Sequence, residues 1–264
     1  MQFTKMHGLG NDYVYLDCTK ETPADLPELA VRLSDRHFGV GGDGLICICP
    51  SRRADFRMRI FNADGSEGEM CGNGIRCVGK FVYDKGMTDK KSLTVETLAG
   101  VRTLELHTTG GTVSAATVDM GVPAIAPERI ITVGDREYRV IPVSMGNPHA
   151  VTYFPQVAAL DLKALGPGFE CHPSFPQRTN TEFVEVLGPA KLRLRVWERG
   201  SGETLACGTG ACAALAASAA AGITQRAPVV ELPGGDLEIR WEPSDGHIYM
   251  TGPAVTVFEG LLPD

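Results

Sequence analysis

The sequence predicts an α+β protein with two pseudo-symmetric domains, each formed by β-strands around a central helix, and a cleft between them. Residues 59–74 align without a gap on residues 195–210, an offset of 136 positions that also superimposes Gly10-Asn11 on Gly146-Asn147. A repeat of this kind indicates a duplicated fold. Short runs rich in β-branched and aromatic residues, bounded by Gly, Pro, Asn and Asp, dominate the chain and predict strands. The helix near residue 210 is apolar on all sides, which predicts burial on all sides.

Four helices are predicted from capping signals and from the residues that end each segment. The first begins near Asp25, with Glu28 three residues on, and stops before Gly39. The second follows Cys71 to about residue 84, and a weaker one follows Asp161. The last runs from Cys207 to about residue 221 and consists almost entirely of Ala, Cys and Leu. By the repeat, the second and fourth helices are the central helices of the two domains.

The predicted strands lie between these helices. They cover residues 3–5, 13–17, 45–49, 56–62, 93–96, 112–120, 140–143, 150–154, 182–187, 192–197, 237–241 and 255–258. The last strand is predicted to return to the first domain, because the second half would otherwise have one strand too many. The predicted domains are therefore residues 1–119 plus 253–264, and residues 120–252.

Composition excludes several classes of protein. The chain has 264 residues, 43% of them hydrophobic, with a formal net charge of −7. This acidic balance argues against a nucleic-acid surface, which needs concentrated Lys and Arg. No apolar run is long enough for a membrane helix, and the N-terminus turns polar too soon for a signal peptide. We expect a cytoplasmic protein with no membrane partner.

Eight cysteines need an interpretation. The spacings between neighbouring cysteines do not match zinc ligands, so no metal site is expected. Cys47 and Cys49 lie on a predicted strand, and Cys77 and Cys212 lie inside helices; we interpret all four as packing residues. Cys71 and Cys207 differ, because each stands at a helix start and they occupy matching positions of the repeat.

These two helix starts predict an acid–base site. Gly72-Asn73-Gly74 and Gly208-Thr209-Gly210 bring backbone N–H groups to the positive end of a helix, where a carboxylate binds. The same field lowers the pKa of a cysteine placed there. If the two helix starts converge, one sulfur removes a proton from a substrate carbon as thiolate and the other returns one as thiol. This chemistry needs no cofactor.

The chain resembles a known family, the diaminopimelate epimerases. The resemblance covers almost the whole length, with motifs in both halves and in the expected order. It rests on residues 7–12 (HGLGND), 61–66 (FNADGS), 70–77 (MCGNGIRC), 146–149 (GNPH), 178–180 (RTN), 197–200 (WERG) and 206–210 (ACGTG).

The resemblance implies a cofactor-independent isomerase that interconverts L,L- and meso-2,6-diaminopimelate, on the route to lysine and peptidoglycan. It also implies domains that close over the substrate and a homodimer. Cys71 and Cys207 resemble the catalytic pair, the first acting as base on the L,L isomer and the second on the meso isomer. His149 and Glu198 resemble the polar pair beside the cysteines, which orients the α-amino group.

The resemblance also implies a substrate-binding set. The groups that resemble the cradle for the reacting carboxylate are Gly72, Asn73, Gly208 and Thr209. The side chains that resemble those holding the substrate, chiefly its distal end, are Asn11, Asn62, Asn147, Asn180 and Arg199. Gly44 corresponds to Asn180 in the repeat and stands where some relatives carry a side-chain amide. Any contact there would come from backbone or water, so Gly44 is left out of the site.

Two alternatives stay open at this stage. A racemase for proline, hydroxyproline or histidine would share the cysteines and their cradles but should lack the distal set. Phenazine-biosynthesis isomerases of the same fold do not keep both cysteines, which disfavours them. A non-catalytic carboxylate-binding protein would not need both thiols, and a thiol-redox protein would want a resolving cysteine close in sequence.

Overall fold

A computed structural model describes residues 1–262 of the chain. The chain divides into two compact units, one formed by Met1–Val118 with the segment from Gly252 onward and the other by Asp119–Thr251. Whether these units are independent folding domains stays a prediction. No helix within residues 1–262 is long and apolar enough to cross a membrane.

The first unit contains two helices among its strands. Its elements up to the boundary are β1 (Gln2–Gly8), β2 (Asn11–Asp17), α1 (Leu26–Ser34), β3 (Gly44–Cys49), β4 (Phe56–Asn62), β5 (Glu67–Gly68), α2 (Gly72–Asp84), β6 (Ser92–Thr97), β7 (Gly100–Thr109) and β8 (Thr112–Asp119).

The second unit repeats this order. Its elements are β9 (Ala124–Ile125), β10 (Arg129–Val133), β11 (Arg136–Ser144), β12 (Pro148–Tyr153), α3 (Leu162–Glu170), β13 (Asn180–Gly188), β14 (Lys191–Glu198), β15 (Gly202–Thr204), α4 (Gly208–Ala220), β16 (Val229–Leu232), β17 (Gly235–Trp241) and β18 (Ile248–Pro253). The last strand, β19 (Val255–Leu261), pairs antiparallel with β1 of the first unit.

Strand pairing shows that the duplication extends to the hydrogen-bond register. In the first unit β2 pairs in parallel with β3, and Tyr13 lies opposite Gly44. In the second unit β12 pairs in parallel with β13, and His149 lies opposite Asn180. Each pair is separated from its counterpart by the offset of the sequence repeat. The predicted α+β fold with two repeats is therefore confirmed.

The central helices are deeply buried in each unit. In α4 ten of thirteen residues are buried, and the exposed residue, Ala220, lies at its end. The small Ala and Cys side chains allow β11, β12, β13 and β17 to approach it closely. Helix α2 is likewise buried from Gly72 through Val82. These two helices carry the candidate cysteines at their N-termini, so each cysteine is attached to the buried core of its unit.

The outer helices begin where the sequence predicts. The carboxylate of Asp25 accepts a hydrogen bond from the Glu28 N–H, and that of Asp161 does the same for the Ala164 N–H. Helix α1 ends at Ser34, earlier than the predicted limit at Gly39. Asp35 ends it early, because its carboxylate accepts hydrogen bonds from two following backbone N–H groups and turns the chain.

A matching ion pair braces the β-hairpin in front of each central helix. Arg59 binds Glu67 with two bonds of 2.7 and 3.0 Å, and Arg195 binds Glu203 with bonds of 2.8 and 3.1 Å. Arg195 has a further role, because its Nη1 also donates to the carbonyls of Val157 and Leu160 at 2.8 Å. The second hairpin is therefore tied to the rest of its unit, while the Arg59 pair stays within its own hairpin.

Candidate active site

Each central helix starts with a cysteine that caps its own N-terminus. Cys71 has an extended backbone (φ −130°, ψ 117°), and its Sγ accepts a hydrogen bond from the Gly74 N–H at 3.2 Å. Cys207 has nearly the same conformation (φ −120°, ψ 111°) and accepts from the Gly210 N–H at 3.4 Å. A thiol in this position lies where the helix field favours negative charge. The backbone thus places both cysteines in the same capping geometry.

The backbone N–H groups that should receive a carboxylate lie beside these thiols. Gly72 and Asn73 form the first turn of α2, and Gly208 and Thr209 form that of α4. First-turn N–H groups have no partner within their helix. The four predicted cradle residues therefore lie at two helix N-termini, one in each unit, the kind of position that favours an anion.

In the first unit, Asn11 links Cys71 to an acidic group. The Cys71 thiol donates to Asn11 Oδ1 at 3.2 Å, and Asn11 Nδ2 donates to the Asp43 carboxylate at 2.8 Å. Arg36 holds Asp43 through an ion pair of 2.9 Å. The amide of Asn11 is therefore fixed with its oxygen toward the sulfur.

Tyr13 also lies beside Cys71, and sequence reasoning missed it. Its phenol interacts with both Asn11 and Cys71 and is buried. Burial raises the pKa of Tyr13 well above its usual range, and the neighbouring Cys71 raises it further. Tyr13 therefore stays a neutral hydrogen-bonding group. The repeat could have identified it, because Tyr13 is the positional counterpart of His149.

In the second unit, a chain of polar side chains leads to Cys207. His149 is fully buried, with Nδ1 at 2.7 Å from Glu182 Oε1 and Nε2 at 3.0 Å from Asn147 Oδ1. Asn147 Nδ2 donates to Thr209 Oγ1 at 3.3 Å, and this hydroxyl lies 3.5 Å from Cys207 Sγ. Four predicted site residues are therefore brought together, with Glu182 as a fifth that the sequence did not reveal.

The surroundings of Cys207 oppose the effect expected from its helix. Burial raises the pKa of Cys207 well above its usual range, and the charges of Glu198 and Glu182 raise it further. Hydrogen bonds from Thr209 and Gly210 act in the opposite direction but are smaller. The expectation of a lowered pKa is therefore wrong for Cys207. In this state it is a thiol, the form that donates a proton.

Glu198 occupies the position beside Cys207 that the sequence predicts. Its carboxylate accepts a hydrogen bond from the Thr204 hydroxyl and interacts with the Cys207 thiol. Burial raises the pKa of Glu198, while Thr204, Cys207 and His149 lower it in part. Glu198 is thus oriented by Thr204 toward the sulfur.

Asn180 and Arg199 are joined through the backbone. Asn180 Oδ1 accepts from the Arg199 N–H at 2.9 Å, and Asn180 Nδ2 donates to the Pro148 carbonyl at 2.9 Å. Both ends of this amide are therefore used to hold the segments that carry Arg199 and His149. The exposed Arg199 guanidinium donates to the Gln177 carbonyl at 3.1 Å and forms no ion pair with a carboxylate of residues 1–262.

Asn62 and Gly44 lie at the end of the β3–β4 pair, opposite each other. The exposed Asn62 donates from Nδ2 to the Ser66 hydroxyl at 2.9 Å. Gly44 is buried, and a Cβ there would come within 2.1 Å of the Phe61 carbonyl oxygen. The backbone thus leaves no room for a side chain at Gly44.

The four cysteines that were interpreted as packing residues are buried. Cys77 and Cys212 are inaccessible within α2 and α4, and Cys47 and Cys49 lie on β3, whose two faces are both covered. Burial raises the pKa of Cys77 to about 11. Within residues 1–262 no group of three or more His, Cys, Asp or Glu side chains is placed to hold a metal ion.

Comparison with known proteins gives the same family that the motifs suggest. The chain matches the family model for diaminopimelate epimerase over residues 3–126 and 141–257. The diaminopimelate epimerase of Acetivibrio thermocellus is 55% identical over 98% of this chain and 98% of its own length.

Two solved structures share the fold at low identity. A phenazine biosynthesis protein from Bacillus anthracis superposes with a TM-score of 0.76 at 18% identity, covering 99% of both chains. A hydroxyproline epimerase from Agrobacterium vitis gives a TM-score of 0.74 at 17% identity, covering 98% of this chain and 91% of its own. These likenesses concern the fold alone, so the racemase alternative is not favoured. From the family model and the relatives that match along its length, the chain belongs to the diaminopimelate epimerase family.

Proposed function

We propose that this protein interconverts L,L- and meso-diaminopimelate without a cofactor, with Cys71 and Cys207 as the two acid–base groups. The observation that supports this most strongly is the duplicated capping geometry, in which each sulfur caps the N-terminus of a central helix. A protein that only bound a carboxylate would not need a thiol at both helix ends.

The proposed reaction conserves protons at each step. The substrate carboxylate binds the N–H groups of the two helix ends. These donors stabilise the negative charge that moves onto the carboxylate as the α-hydrogen leaves. Cys71, as thiolate, removes this hydrogen as a proton from the L,L isomer, and the electron pair stays on the α-carbon. Cys207, as thiol, then gives its proton to the opposite face. The enzyme ends with Cys71 as thiol and Cys207 as thiolate, ready for the reverse reaction.

The raised pKa of Cys207 supports this assignment of roles. A buried thiol between two carboxylates keeps its proton until a carbanion takes it. His149 and Glu198, which lie on the same side, are proposed to orient the α-amino group. Glu198 offers a carboxylate to an ammonium group, and the Thr204 hydroxyl holds it in place.

The distal end of the substrate is assigned to the exposed side chains near the hairpin ends. Arg199 has no carboxylate partner among residues 1–262, and a guanidinium can grip a carboxylate with two parallel bonds. Asn62 is proposed as an amide partner of the same ligand. Asn11, Asn147 and Asn180 are proposed to act mainly by holding their neighbours, since both ends of each amide already have partners.

The remaining expectations concern the setting of the enzyme. We propose that it acts in the cytoplasm on the route to lysine and peptidoglycan precursors, as a homodimer with two domains per chain. Light scattering of the purified protein tests the dimer, since a monomer mass at micromolar concentration would contradict it.

The deciding experiment is incubation with L,L-diaminopimelate in deuterium oxide, followed by chiral separation and mass spectrometry. We expect meso product with one deuterium at the inverted α-carbon, because the incoming proton comes from a solvent-equilibrated thiol. Lysine, which lacks the distal carboxylate, should react about a thousandfold more slowly in kcat/KM, because it forgoes the charge-assisted bonds that Arg199 would make to that carboxylate. Comparable turnover of lysine, proline or histidine would favour a general racemase.

A further inference from the structure

Glu182 is a buried carboxylate that the proposed mechanism does not use. It lies on β13 with its side chain fully buried, and its Oε1 is 2.7 Å from His149 Nδ1. Its Oε2 is buried without a hydrogen-bond partner among residues 1–262. Burying a carboxylate with one oxygen unpaired is costly, so its presence calls for a role beyond packing.

The position of Glu182 connects it to the start of α4. A Cβ built on Gly210 would come within 2.7 Å of Glu182 Oε1, so this carboxylate packs directly against the first helical turn. Gly210 is the residue whose N–H binds the Cys207 sulfur. Glu182 therefore shares one helix end with Cys207.

The internal repeat shows that packing alone does not require an acid here. The positional counterpart of Glu182 in the first unit is Ile46, and a Cβ built on Gly74 would meet Ile46 Cδ1 at 2.6 Å in the same way. An apolar side chain thus fills the same place against the helix of Cys71. The carboxylate belongs to the Cys207 half alone, where the counterpart of Tyr13 is His149.

A chain of hydrogen bonds connects Glu182 to the Cys207 sulfur. When His149 is protonated on both ring nitrogens, Nδ1–H donates to Glu182 and Nε2–H donates to Asn147 Oδ1 at 3.0 Å. Asn147 Nδ2 donates to Thr209 Oγ1, whose hydroxyl hydrogen is then free for the sulfur 3.5 Å away. Each donor in this series points toward Cys207. Donors directed at a sulfur stabilise its thiolate, the form left after Cys207 gives up its proton.

We propose that Glu182 is a positioning residue for the Cys207 half of the reaction, which holds His149 protonated on both ring nitrogens and thereby directs the His149–Asn147–Thr209 donors at the sulfur. The carboxylate anchors the far end of the chain, as a buried acid orients a catalytic imidazole elsewhere. No proton passes along the chain; only the direction of its hydrogen bonds is set. This role rests on the proposed function of Cys207.

The test compares Glu182→Gln and Glu182→Ile, the latter copying Ile46, with Glu182→Asp as the conservative variant. Glu185→Gln is the matched control, because it removes an acid from the same strand outside the chain of hydrogen bonds. We expect kcat to fall about tenfold to a hundredfold in Glu182→Gln, as when the partner of a functional histidine is lost. KM should change less than about threefold, and Glu182→Asp should recover part of the loss.

Two further readouts do not depend on turnover. In nitrogen NMR of histidine-labelled protein, the His149 signals should show both ring nitrogens protonated in the native chain and one of them unprotonated in Glu182→Gln. Glu182→Ile should melt at a lower temperature, because it leaves the buried His149 Nδ1 without a partner. The melting temperature of Glu182→Gln should stay near that of the native chain, because Gln keeps the shape of the side chain and its amide oxygen still accepts from Nδ1–H. A purely structural role of the carboxylate would lower the melting temperature of Glu182→Gln.

The outcomes separate this proposal from the proposed function. Native kcat and native His149 signals in a folded Glu182→Gln would overturn the role of Glu182. A fall in kcat of Glu182→Gln that is matched by a lower melting temperature of the same variant would overturn it as well. If the native chain failed to epimerise diaminopimelate, the proposed function would fail, while the NMR comparison would still test the link between Glu182 and His149.

Discussion

Replacing Glu198 by Gln should make Cys207 more reactive toward alkylation while epimerisation becomes slower. The carboxylate of Glu198 raises the pKa of the Cys207 thiol by its charge. Gln keeps the shape and removes the charge, so a larger fraction of Cys207 becomes thiolate at a given pH. Since only the thiolate attacks iodoacetamide, the alkylation rate reports this fraction directly.

The size of the effect follows from the contact between the two groups. Two unit charges about 4 Å apart interact by about 4 kcal/mol at an effective dielectric constant of 20. Glu198 retains some exposed surface, so we take about half, or ~2 kcal/mol, which corresponds to about 30-fold more thiolate. A less basic thiolate is also a weaker nucleophile, with a Brønsted exponent of about 0.5, and this leaves a net gain of about fivefold.

The assay is mass-spectrometric measurement of alkylation at each cysteine between pH 7 and 9. Cys71 serves as the reference in the same tube, and Glu203→Gln serves as the control variant, because Glu203 is exposed and paired with Arg195. If Cys207 of a folded Glu198→Gln is alkylated no faster than in the native chain, the charge of Glu198 does not hold down the thiolate fraction of Cys207. Equal acceleration at both cysteines would indicate general loosening instead.

Three further predictions concern the two cysteines, Gly44 and the arginines of the two β-hairpins. Cys71→Ala and Cys207→Ala should each abolish epimerisation with the melting temperature nearly unchanged, because neither thiol can act on the face served by the other; measurable inversion by either variant would contradict the two-base assignment. Gly44→Ala should lose about 2–3 kcal/mol of unfolding free energy in urea titration, since its methyl group would overlap a backbone carbonyl; a loss below ~0.5 kcal/mol would contradict this. By calorimetry, Arg195→Met should lower the free energy of unfolding by about 3 kcal/mol and Arg59→Met by about 1 kcal/mol, because only Arg195 also binds backbone carbonyls. Equal losses would show that these carbonyl contacts add no stability.

Sequence alone was sufficient for the features that depend on local pattern. The offset between Cys71 and Cys207 predicted two equivalent helix starts, and the structure gives both cysteines the same capping geometry. The capping aspartates likewise fixed the beginnings of α1 and α3. Local hydrogen bonds explain this success, because a cap is formed by residues three positions apart.

The features that were missed depend on contacts between distant segments. Glu182 reads as an ordinary residue of a strand, and only the parallel pairing of β12 with β13 brings it to His149. The expected lowering of the Cys207 pKa considered the helix field but not the burial and the two carboxylates that outweigh it. Charges that act through space cannot be placed until the strands are paired.

The pairing of β19 with β1 has a consequence for how the protein is made. The Met1 and Leu262 backbones bond to each other at 2.7 and 3.1 Å, so the edge of the first unit is built from both ends of the described chain. During synthesis, β1 leaves the ribosome before the second unit does, and its partner strand β19 follows only after the whole second unit has been translated. Premature termination after residue 251 would therefore spare the second unit and leave an open strand edge on the first, the type of surface on which aggregation begins.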